Sequence, residues 1–423
     1  MMLDRRSLRS QEGPAKTSAA GVGAEVRNRG AALEVLLIFL RLGVSSFGGP
    51  IAHIGYFREE FVVRRRWLSE QAYADLVALC QFLPGPASSQ VGFSIGLMRA
   101  GYRGGLAAWV GFTLPSAIAL VFFAYGAAAL NGTVGTGLLH GLKLVAVAIV
   151  AQAVWGMART LCPDRERASI AVVAALIILF SASSIAQVAA ILLGGILGLW
   201  LCRAASSTST GQLSVPVSRR AGIVALAAFF LLLAGLPVLH GLGILPGIPL
   251  FDAFYRSGAL VFGGGHVVLP LLREAFVTPG WVTDDAFLSG YGAAQAVPGP
   301  LFTFAAYLGT VVSVSPHGLP GAALGLIGIF LPGMLILLGT LPFWETFRQR
   351  TGAQAVMRGV NAAVVGLLGA ALYNPIWTSS VRTPGDFGIA LAGFVLLTAW
   401  RAPPLLIVII SALGGIMLAL ARP

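Results

Sequence analysis

The sequence predicts an all-α polytopic membrane protein made of two homologous domains. Of its 423 residues, 57% are hydrophobic and only 10% are charged, whereas soluble proteins carry roughly 25% charged residues. Apolar runs long enough to cross a bilayer recur from Ala31 to the C-terminus. A pattern of residues in the first half also returns in the second half. We therefore expect about 10–13 transmembrane segments arranged as two repeats.

The internal repeat keeps one constant spacing over its first part. The residues Arg41, Gly43, Phe47, Gly48, Gly49, Arg58 and Glu59 recur as Arg256, Gly258, Phe262, Gly263, Gly264, Arg273 and Glu274. Further along, Trp67, Gln81 and Lys143 correspond to Trp281, Gln295 and Asn361. This divides the chain into a disordered cytoplasmic tail (1–30), a first domain (31–202), a polar linker plus connecting helix (203–249) and a second domain (250–423).

Arginines between the apolar segments set the expected orientation, because cytoplasmic loops are enriched in positive charge. Alternate loops carry Arg99, Arg103, Arg159, Arg165, Arg167, Arg203, Arg219, Arg220, Arg273, Arg348, Arg350, Arg358 and Arg401. The opposite loops, around 131–137, 183–184, 241–249 and 313–317, have no Lys or Arg. We expect a multi-pass membrane protein with a cytoplasmic N-terminus. One extra span between the copies would invert the second repeat.

One loop breaks this charge rule, because Arg58, Arg64, Arg65 and Arg66 would lie outside in a thirteen-span arrangement. The alternative makes segments 31–57 and 72–98 re-entrant hairpins, which places all their flanks in the cytoplasm. The hairpins would bend at Gly48-Gly49-Pro50 and at Pro84-Gly85-Pro86. The sequence leaves both arrangements open.

The chain also carries two matching helix breaks at membrane depth, Pro84-Gly85-Pro86 and Pro298-Gly299-Pro300. Proline removes a backbone donor and breaks the helix. Such a break is tolerated in a membrane only where it is packed in protein or lines a cavity. Paired breaks in two halves of a chain indicate the central binding site of a transporter. The alternative interpretation is a pair of kinks that only shape packing.

The residues around the breaks favour an anion as the ligand. Ser88 and Ser89 begin a half-helix after Pro86, so free N–H groups, hydroxyls and the positive end of the helix dipole would face the membrane centre. A tetrahedral oxyanion accepts hydrogen bonds from several directions and suits such a pocket. Gln81 and Gln295 precede the breaks and are candidates for orienting it.

Ionisable residues inside apolar segments are further candidates, because they are costly in a membrane. Arg41 and Arg256 are predicted to contact the substrate or to form structural ion pairs, and snorkelling to an interface is the alternative. Lys143, whose repeat partner is Asn361, is a second candidate anion contact.

Gating or proton coupling is the role considered for the groups beside the glycine turns. The candidates are Arg58, Glu59, Arg273, Glu274, His53, His266, Gly48, Gly49, Gly263 and Gly264. The Arg-Glu pairs would meet across the pseudo-twofold or gate the site, or they are solvated helix ends. A histidine titrates near neutral pH and suits a coupling proton, although a satisfied helix-end histidine is the simpler interpretation.

Other function classes find no support in the sequence. No nucleotide-binding loop, His-Glu-x-x-His zinc motif or nucleophile elbow is present. Cys80, Cys162 and Cys202 lack metal-ligand spacing, so we expect no metal and no cofactor. The net charge of +12 comes from arginines scattered at helix ends, which favours membrane lipid as a contact and argues against nucleic acid. A secondary transporter, not an enzyme, is therefore expected.

Specific motifs resemble those of the chromate ion transporter family in its long, two-domain form. They are Phe47-Gly-Gly-Pro with Gly55-Tyr-Phe, Trp67-Leu-Ser-Glu, Gln81-Phe-Leu-Pro-Gly-Pro-Ala, Phe262-Gly-Gly-Gly-His266 and Gln295-Ala-Val-Pro-Gly-Pro. The resemblance implies export of chromate across the inner membrane, driven by the proton-motive force and conferring chromate resistance. Sulfate is the implied competing analogue. Transport of another oxyanion such as sulfate is the alternative function, and a homodimer is the candidate assembly.

Overall fold

The computed structural model describes residues 30–129, 132–181, 184–202, 216–243, 246–262, 265–344 and 350–421. The predicted tail, most of the polar linker, and Gly263 and Gly264 lie outside these residues. The described part of the chain is built of helices and contains no strand. The prediction of an all-α protein is confirmed.

Helices of very different length make up the fold. In chain order they are α1 (Gly30–Ser45), α2 (Gly49–Arg58), α3 (Glu70–Phe82), α4 (Ala87–Ala129), α5 (Gly132–Leu161), α6 (Arg165–Phe180), α7 (Ser184–Leu201), α8 (Arg219–Leu242), α9 (Ile248–Ala259), α10 (Val268–Phe276), α11 (Asp284–Ala294), α12 (Phe304–Val311), α13 (Gly318–Thr340), α14 (Thr351–Ala371), α15 (Thr378–Ser380), α16 (Pro384–Thr398) and α17 (Pro404–Leu420). Short 3₁₀ or π-helical turns occupy Glu59–Arg64, Gly265–Val267, Leu301–Thr303, Leu341–Phe343 and Leu372–Trp377.

Local sequence explains where many helices start. Five helices are preceded by a capping residue, whose side chain accepts a hydrogen bond from the backbone N–H three residues later. These residues are Ser69, Asp164, Ser218, Thr283 and Thr383. Such a cap satisfies one of the free N–H groups of the first turn. Polar residues between apolar runs therefore set these helix starts.

Helices α1 and α2 form a hairpin, not one span. Gly48 and Gly49 adopt φ of +101° and +75° and reverse the chain, a conformation that glycine permits without Cβ strain. Phe39 on the first arm stacks on Phe61 of the second, with ring centroids 5.1 Å apart. Glu34 and Arg65, at the open ends of the two arms, form an ion pair of 3.2 Å. Both ends of this segment therefore lie on one face.

Helix α3 and the first part of α4 form a second hairpin beside the first. The backbone of α4 is non-helical at Ala100 and Gly101, so residues 87–99 and 102–129 are separate helices. Arg99, at the end of the first of them, contacts Glu34 at 3.1 Å. Glu34 thus ties the open ends of both hairpins together. The re-entrant alternative is the arrangement found, and it explains the arginine-rich loop that breaks the charge rule.

The second copy repeats the main contacts of this geometry. Arg273 pairs with Asp284 at 2.9 Å, as Arg58 pairs with Glu70 at 2.6 Å. The rings of Phe254 and Phe276 lie 4.5 Å apart, at positions equivalent to Phe39 and Phe61. Helices α9 to α12 therefore form two further re-entrant hairpins, and the predicted homology of the two domains is confirmed.

The two sets of hairpins enter from opposite faces. Residues 102–129 form a helix about 40 Å long that starts beside Arg99 at the base of the first set. Near its far end, Tyr125 meets Gly318, where an added Cβ would lie 3.1 Å from the phenol oxygen. Gly318 belongs to the base of the second set. The repeats are therefore inverted, and the unpaired helix α8 supplies the odd crossing. Arg273 consequently lies on the face opposite Arg99, so the prediction that places both residues in cytoplasmic loops is wrong.

Among the described residues, five helical stretches are long and apolar enough to cross a membrane, namely 87–127, which is interrupted at Ala100 and Gly101, 132–161, 219–242, 318–343 and 351–380. Shorter apolar helices at 185–201, 384–398 and 404–420 pack with them. The protein is thus a multi-pass membrane protein with fewer spans than thirteen.

The copies also exchange their last helices. Helix α5 of the first copy packs on α16 and α17 of the second, and α14 of the second packs on α6 and α7 of the first. A Cβ on Gly141 would lie 2.2 Å from the carbonyl oxygen of Ser411, and one on Gly359 would lie 2.0 Å from that of Gly194. Gly141 of the first copy corresponds to Gly359 of the second, and Gly194 of the first corresponds to Ser411 of the second. The copies therefore share one interlocked core.

Candidate functional site at the hairpin tips

The four hairpin tips meet at the centre of the protein. The amide of Gly85 donates a hydrogen bond to the carbonyl oxygen of Val261 at 2.7 Å, and the amide of Gly299 donates one to that of Ser46 at 2.9 Å. The two donors are equivalent in the repeat, and so are the two acceptors. Each bond therefore joins a Pro-Gly-Pro tip of one copy to a glycine-turn tip of the other. The structure thus brings the two predicted breaks to one place.

A pseudo-twofold axis passes through this junction. Pro50 and Gly265 are equivalent residues, and an added Cβ on Gly265 would lie 3.2 Å from Cγ of Pro50. Equivalent residues can touch each other only close to the axis that relates them. The tips therefore surround the symmetry centre of the two repeats.

The tip glycines are required by the backbone. Gly85 and Gly299 have φ of +116° and +103°, which side-chain-bearing residues rarely adopt. A Cβ on Gly85 would lie 2.9 Å from Cα of Gly333, and one on Gly299 would lie 2.7 Å from the Ser116 hydroxyl oxygen. Close approach of the backbones is thus built into both tips.

The N-terminus of α4 lies at this junction. Ser88 and Ser89 are buried in its first turn. Gln90 follows, and its amide nitrogen donates to the carbonyl oxygens of Pro84 at 2.9 Å and Gly333 at 2.8 Å. In the second copy, a 3₁₀ turn follows Pro300, and the Thr303 hydroxyl donates to the Pro300 carbonyl at 2.7 Å. The tip of the first copy is therefore the one with a regular helix N-terminus.

Some of the buried polar atoms without a protein partner lie in the tip segments or in the helix that packs against them. Among the described residues, Ser46 Oγ, Ser89 Oγ, Gln90 Oε1 and Thr113 Oγ1 have no hydrogen-bond partner, and each residue is at most 3% exposed. Buried polar groups are nearly always satisfied, so a ligand or water is expected to complete them. Sequence reasoning missed Ser46, Gln90 and Thr113; the position of Gln90 one turn after Pro86 was the available signal.

His53 lies at the tip of the first copy and is fully buried. Its Nε2 is 3.2 Å from the carbonyl oxygen of Ser46, and its Nδ1 is 3.4 Å from the Ser88 hydroxyl. A carbonyl oxygen only accepts, so the neutral ring donates from Nε2 and accepts at Nδ1. His53 therefore connects both tip segments of the first copy. His266 instead places Nδ1 2.8 Å from the Tyr291 hydroxyl.

The two predicted arginines do not lie in this junction. Arg41 is exposed and lines an outer groove with Tyr56 and Glu59. Arg256 pairs with Asp252 one turn earlier on its own helix, at 2.8 Å, and Asp252 is only 1% exposed. The ion-pair alternative describes Arg256, and neither arginine has a hydrogen bond or ion pair with the described tip residues.

The Arg-Glu pairs also lie elsewhere. Arg58 forms an ion pair with Glu70, and Arg273 forms one with Asp284. Because the two sets of hairpin bases lie on opposite faces, the predicted pairing across the pseudo-twofold is wrong.

The remaining candidates are dispersed. The Lys143 ammonium binds Asp285 at 2.5 Å, away from the tips. Its repeat partner Asn361 is half-buried, Gln81 is exposed and Gln295 is half-buried. The site that the structure assembles is thus the backbone of the four tips with the hydroxyls and the histidine around it.

Comparison with known proteins gives one family. The family model described as "Chromate transporter" matches residues 33–199 and again 248–416. A "Chromate transport protein" of Pseudomonas aeruginosa is 29% identical over 392 residues, covering 89% of each chain. A "Probable chromate transport protein" of Synechococcus elongatus is 27% identical over 408 residues, covering 90% of this chain and 93% of its own. A "Chromate transport protein" of Cupriavidus metallidurans is 25% identical over 376 residues, covering 87% and 88%. No solved structure matches the chain.

Proposed function

The chain belongs to the chromate transporter family, and we propose on this premise that it exports chromate from the cytoplasm across the inner membrane. Relatives named as chromate transport proteins match about nine-tenths of the chain. Export would lower cytoplasmic chromate and confer chromate resistance. The observation that carries the site is the meeting of four re-entrant tips around the pseudo-twofold axis, since opposed broken helices at the membrane centre are where transporters of inverted repeats bind substrate.

The chemistry of the tips fits a tetrahedral dianion. The N-terminus of α4 offers free N–H groups and the positive end of its dipole. The hydroxyls of Ser46, Ser89 and Thr113 lack protein partners among the described residues and are able to donate to oxyanion oxygens. Ser88 adds a hydroxyl next to His53. A ligand held this way is recognised by hydrogen bonds and the helix dipole, not by an arginine.

His53 is the group in this site that suits proton coupling. Protonation of Nδ1 would put a positive charge beside Ser88, at the helix end that receives the anion. Release of the proton would then weaken anion binding. A proton and a dianion that leave together carry one net negative charge outward, so we propose that the interior-negative membrane potential, the electrical part of the proton-motive force, drives export, with one repeat rocking against the other.

Sulfate is the second candidate substrate, because it has the same shape and charge as chromate. Hydroxyls and N–H groups recognise oxygen atoms and not the central atom. Sulfate should therefore compete with chromate even where chromate is the substrate.

The N-terminus is proposed to be cytoplasmic, since the arginine-rich loops of the first copy lie on the same face as the start of α1.

Everted membrane vesicles energised with NADH test this proposal. Chromate should accumulate in vesicles that contain the protein, and an uncoupler should abolish the accumulation. Ser89→Ala and His53→Gln should reduce it, whereas Ser169→Ala, on the exposed start of α6, should not. Accumulation of sulfate but not of chromate would show that sulfate, and not chromate, is the substrate. Absence of flux of either anion would contradict the proposal.

A further inference from the structure

A separate cavity of about 550 Å³ lies beside the first turns of α5 and α11, near the base of the second hairpin set. It lies between helices α4, α5, α11, α12 and α17. Its polar lining consists of Thr136, His140, Lys143, Asp285, Ser289 and Tyr307. None of the described tip residues lines it. The cavity is therefore distinct from the site proposed above.

Lys143 supplies a fixed positive charge to this cavity. Its side chain is 9% exposed, and its ammonium lies 2.5 Å from Oδ1 of Asp285. The Asp285 side chain is 67% exposed. An exposed carboxylate can turn into water at little cost, whereas a buried ammonium left unpaired is costly. The pair is thus asymmetric: the anion is replaceable and the cation is not.

Asp386, the second carboxylate near the cavity, is already bound by other groups of the protein. Asp386 Oδ1 lies 2.8 Å from Nε2 of His140, and Asp386 Oδ2 accepts from the backbone N–H groups of Arg382 and Thr383. Asp386 is fully buried in this network. Its carboxylate is therefore bound to His140 and to the backbone at the start of α16, whereas the ion-pair partner of Lys143 is Asp285.

The repeat shows that this charge pair is not a general requirement of the fold. The positions equivalent to Lys143 and His140 in the second copy are Asn361 and Arg358, and Arg358 donates to the carbonyl oxygen of Cys202 at 3.1 Å. The same helix packing therefore forms without an ammonium at this position. The lysine is specific to the face on which the cavity opens.

We propose that this cavity is a second oxyanion site, in which chromate or a similar dianion displaces Asp285 from Lys143. The inference rests on the proposed function, because it places the cavity on the path between the tips and the outer face. Asp285 acts as a competing anion that is part of the protein. Its return to Lys143 ejects the substrate, so the site binds weakly and empties quickly.

Equilibrium dialysis of the purified full-length protein with radiolabelled chromate, and separately with radiolabelled sulfate, tests this assignment. The wild type should show two classes of binding site, a tighter class at the tips and a weaker class in the cavity. Lys143→Gln should remove the weaker class and Lys143→Arg should retain it. Asp285→Asn should tighten that class about fivefold, since it removes the competing charge. Asp284→Asn is the matched control, because Asp284 pairs with Arg273 and not with Lys143.

Opposite effects of the two variants separate ligand binding from a structural ion pair. If the pair only stabilised the fold, Lys143→Gln and Asp285→Asn would change binding in the same direction or not at all, and the inference would be overturned. Loss of the tighter class in Ser89→Ala, with the weaker class indifferent to Lys143→Gln, would leave the tip site standing alone. A weaker class that depends on Lys143, without any class that depends on Ser89, would support the cavity and contradict the tip site. A wild type that binds neither anion would overturn both.

Discussion

The amide of Gly85 and the carbonyl oxygen of Val261 are joined by a 2.7 Å hydrogen bond between two re-entrant hairpins that enter the protein from opposite faces. The equivalent bond joins Gly299 to Ser46. Each break leaves backbone groups without a helical partner, and each copy satisfies groups of the other. The two repeats are therefore mutually dependent at the point where substrate is proposed to bind.

The first prediction concerns the two tip glycines. Gly85→Ala and Gly299→Ala should each cost about 1–3 kcal/mol of stability, because both force a side chain into a left-handed backbone. Both should also reduce chromate accumulation in everted vesicles strongly, because the tips must separate by the width of a methyl group. Thermal unfolding in detergent and vesicle uptake are the measurements.

Gly55→Ala is the control for this pair. Gly55 lies in α2, its φ is not positive, and an added Cβ would meet nothing within 4 Å. Alanine there should leave stability unchanged or raise it slightly, since it favours the helix. Full transport by Gly85→Ala at normal expression would show that the tip geometry is not needed.

The second prediction concerns the interlock between the copies. Gly141→Ala and Gly359→Ala should each destabilise the protein by about 1–3 kcal/mol, because the new methyl groups meet backbone oxygens that cannot move alone. Gly156→Ala and Gly369→Ala lie on the same two helical segments and have open space around the added Cβ. They should unfold at or slightly above the wild-type temperature. Equal unfolding temperatures for all four variants would argue against the interlock.

The third prediction tests the re-entrant, inverted topology. Single cysteines are introduced at Arg66, Arg103 and Thr278 in a variant without Cys80, Cys162 and Cys202. A membrane-impermeant maleimide should label positions 66 and 103 from one face and position 278 from the other. In a thirteen-span protein, positions 66 and 103 would lie on opposite faces. Labelling of 66 and 278 from the same face would contradict the inversion.

The fourth prediction separates the two repeat-related arginines. Arg256→Gln removes the close cation from Asp252, which is 1% exposed; the cationic partner that remains among the described residues is His240 at 3.5 Å. It should destabilise the protein by about 1–3 kcal/mol. Arg41→Gln should change stability by less than about 0.5 kcal/mol, since the residue is exposed.

A double variant, Asp252→Asn with Arg256→Gln, is the control for this pair. It should recover most of the lost stability, because no buried charge remains. Transport per folded molecule should stay near the wild-type level in both single variants. A large loss of transport in Arg41→Gln at wild-type stability would return that arginine to the substrate path.

The paired breaks were predictable because they are local. Pro84-Gly85-Pro86 cannot continue a helix whatever surrounds it, and its recurrence at Pro298-Gly299-Pro300 required only comparison along the chain. Arg41 and Arg256 illustrate the limit of the same reasoning. Their conserved place in the repeat suggested one shared role, yet only Arg256 has an acidic residue one turn earlier on its helix, Asp252.

The sequence by itself determined the helical membrane class, the duplication, the inversion and the positions of the breaks. Hydropathy and the effect of proline are local properties of the chain, and the number of connecting spans is counted from the hydropathy. All three can therefore be read without coordinates. Only the tertiary structure decided that the broken segments are hairpins, that Gly85 binds Val261 and that Lys143 faces Asp285. These are contacts between residues more than a hundred positions apart, or choices between two ways of placing the same apolar segment. They depend on how the two copies pack against each other, and no local pattern specifies that.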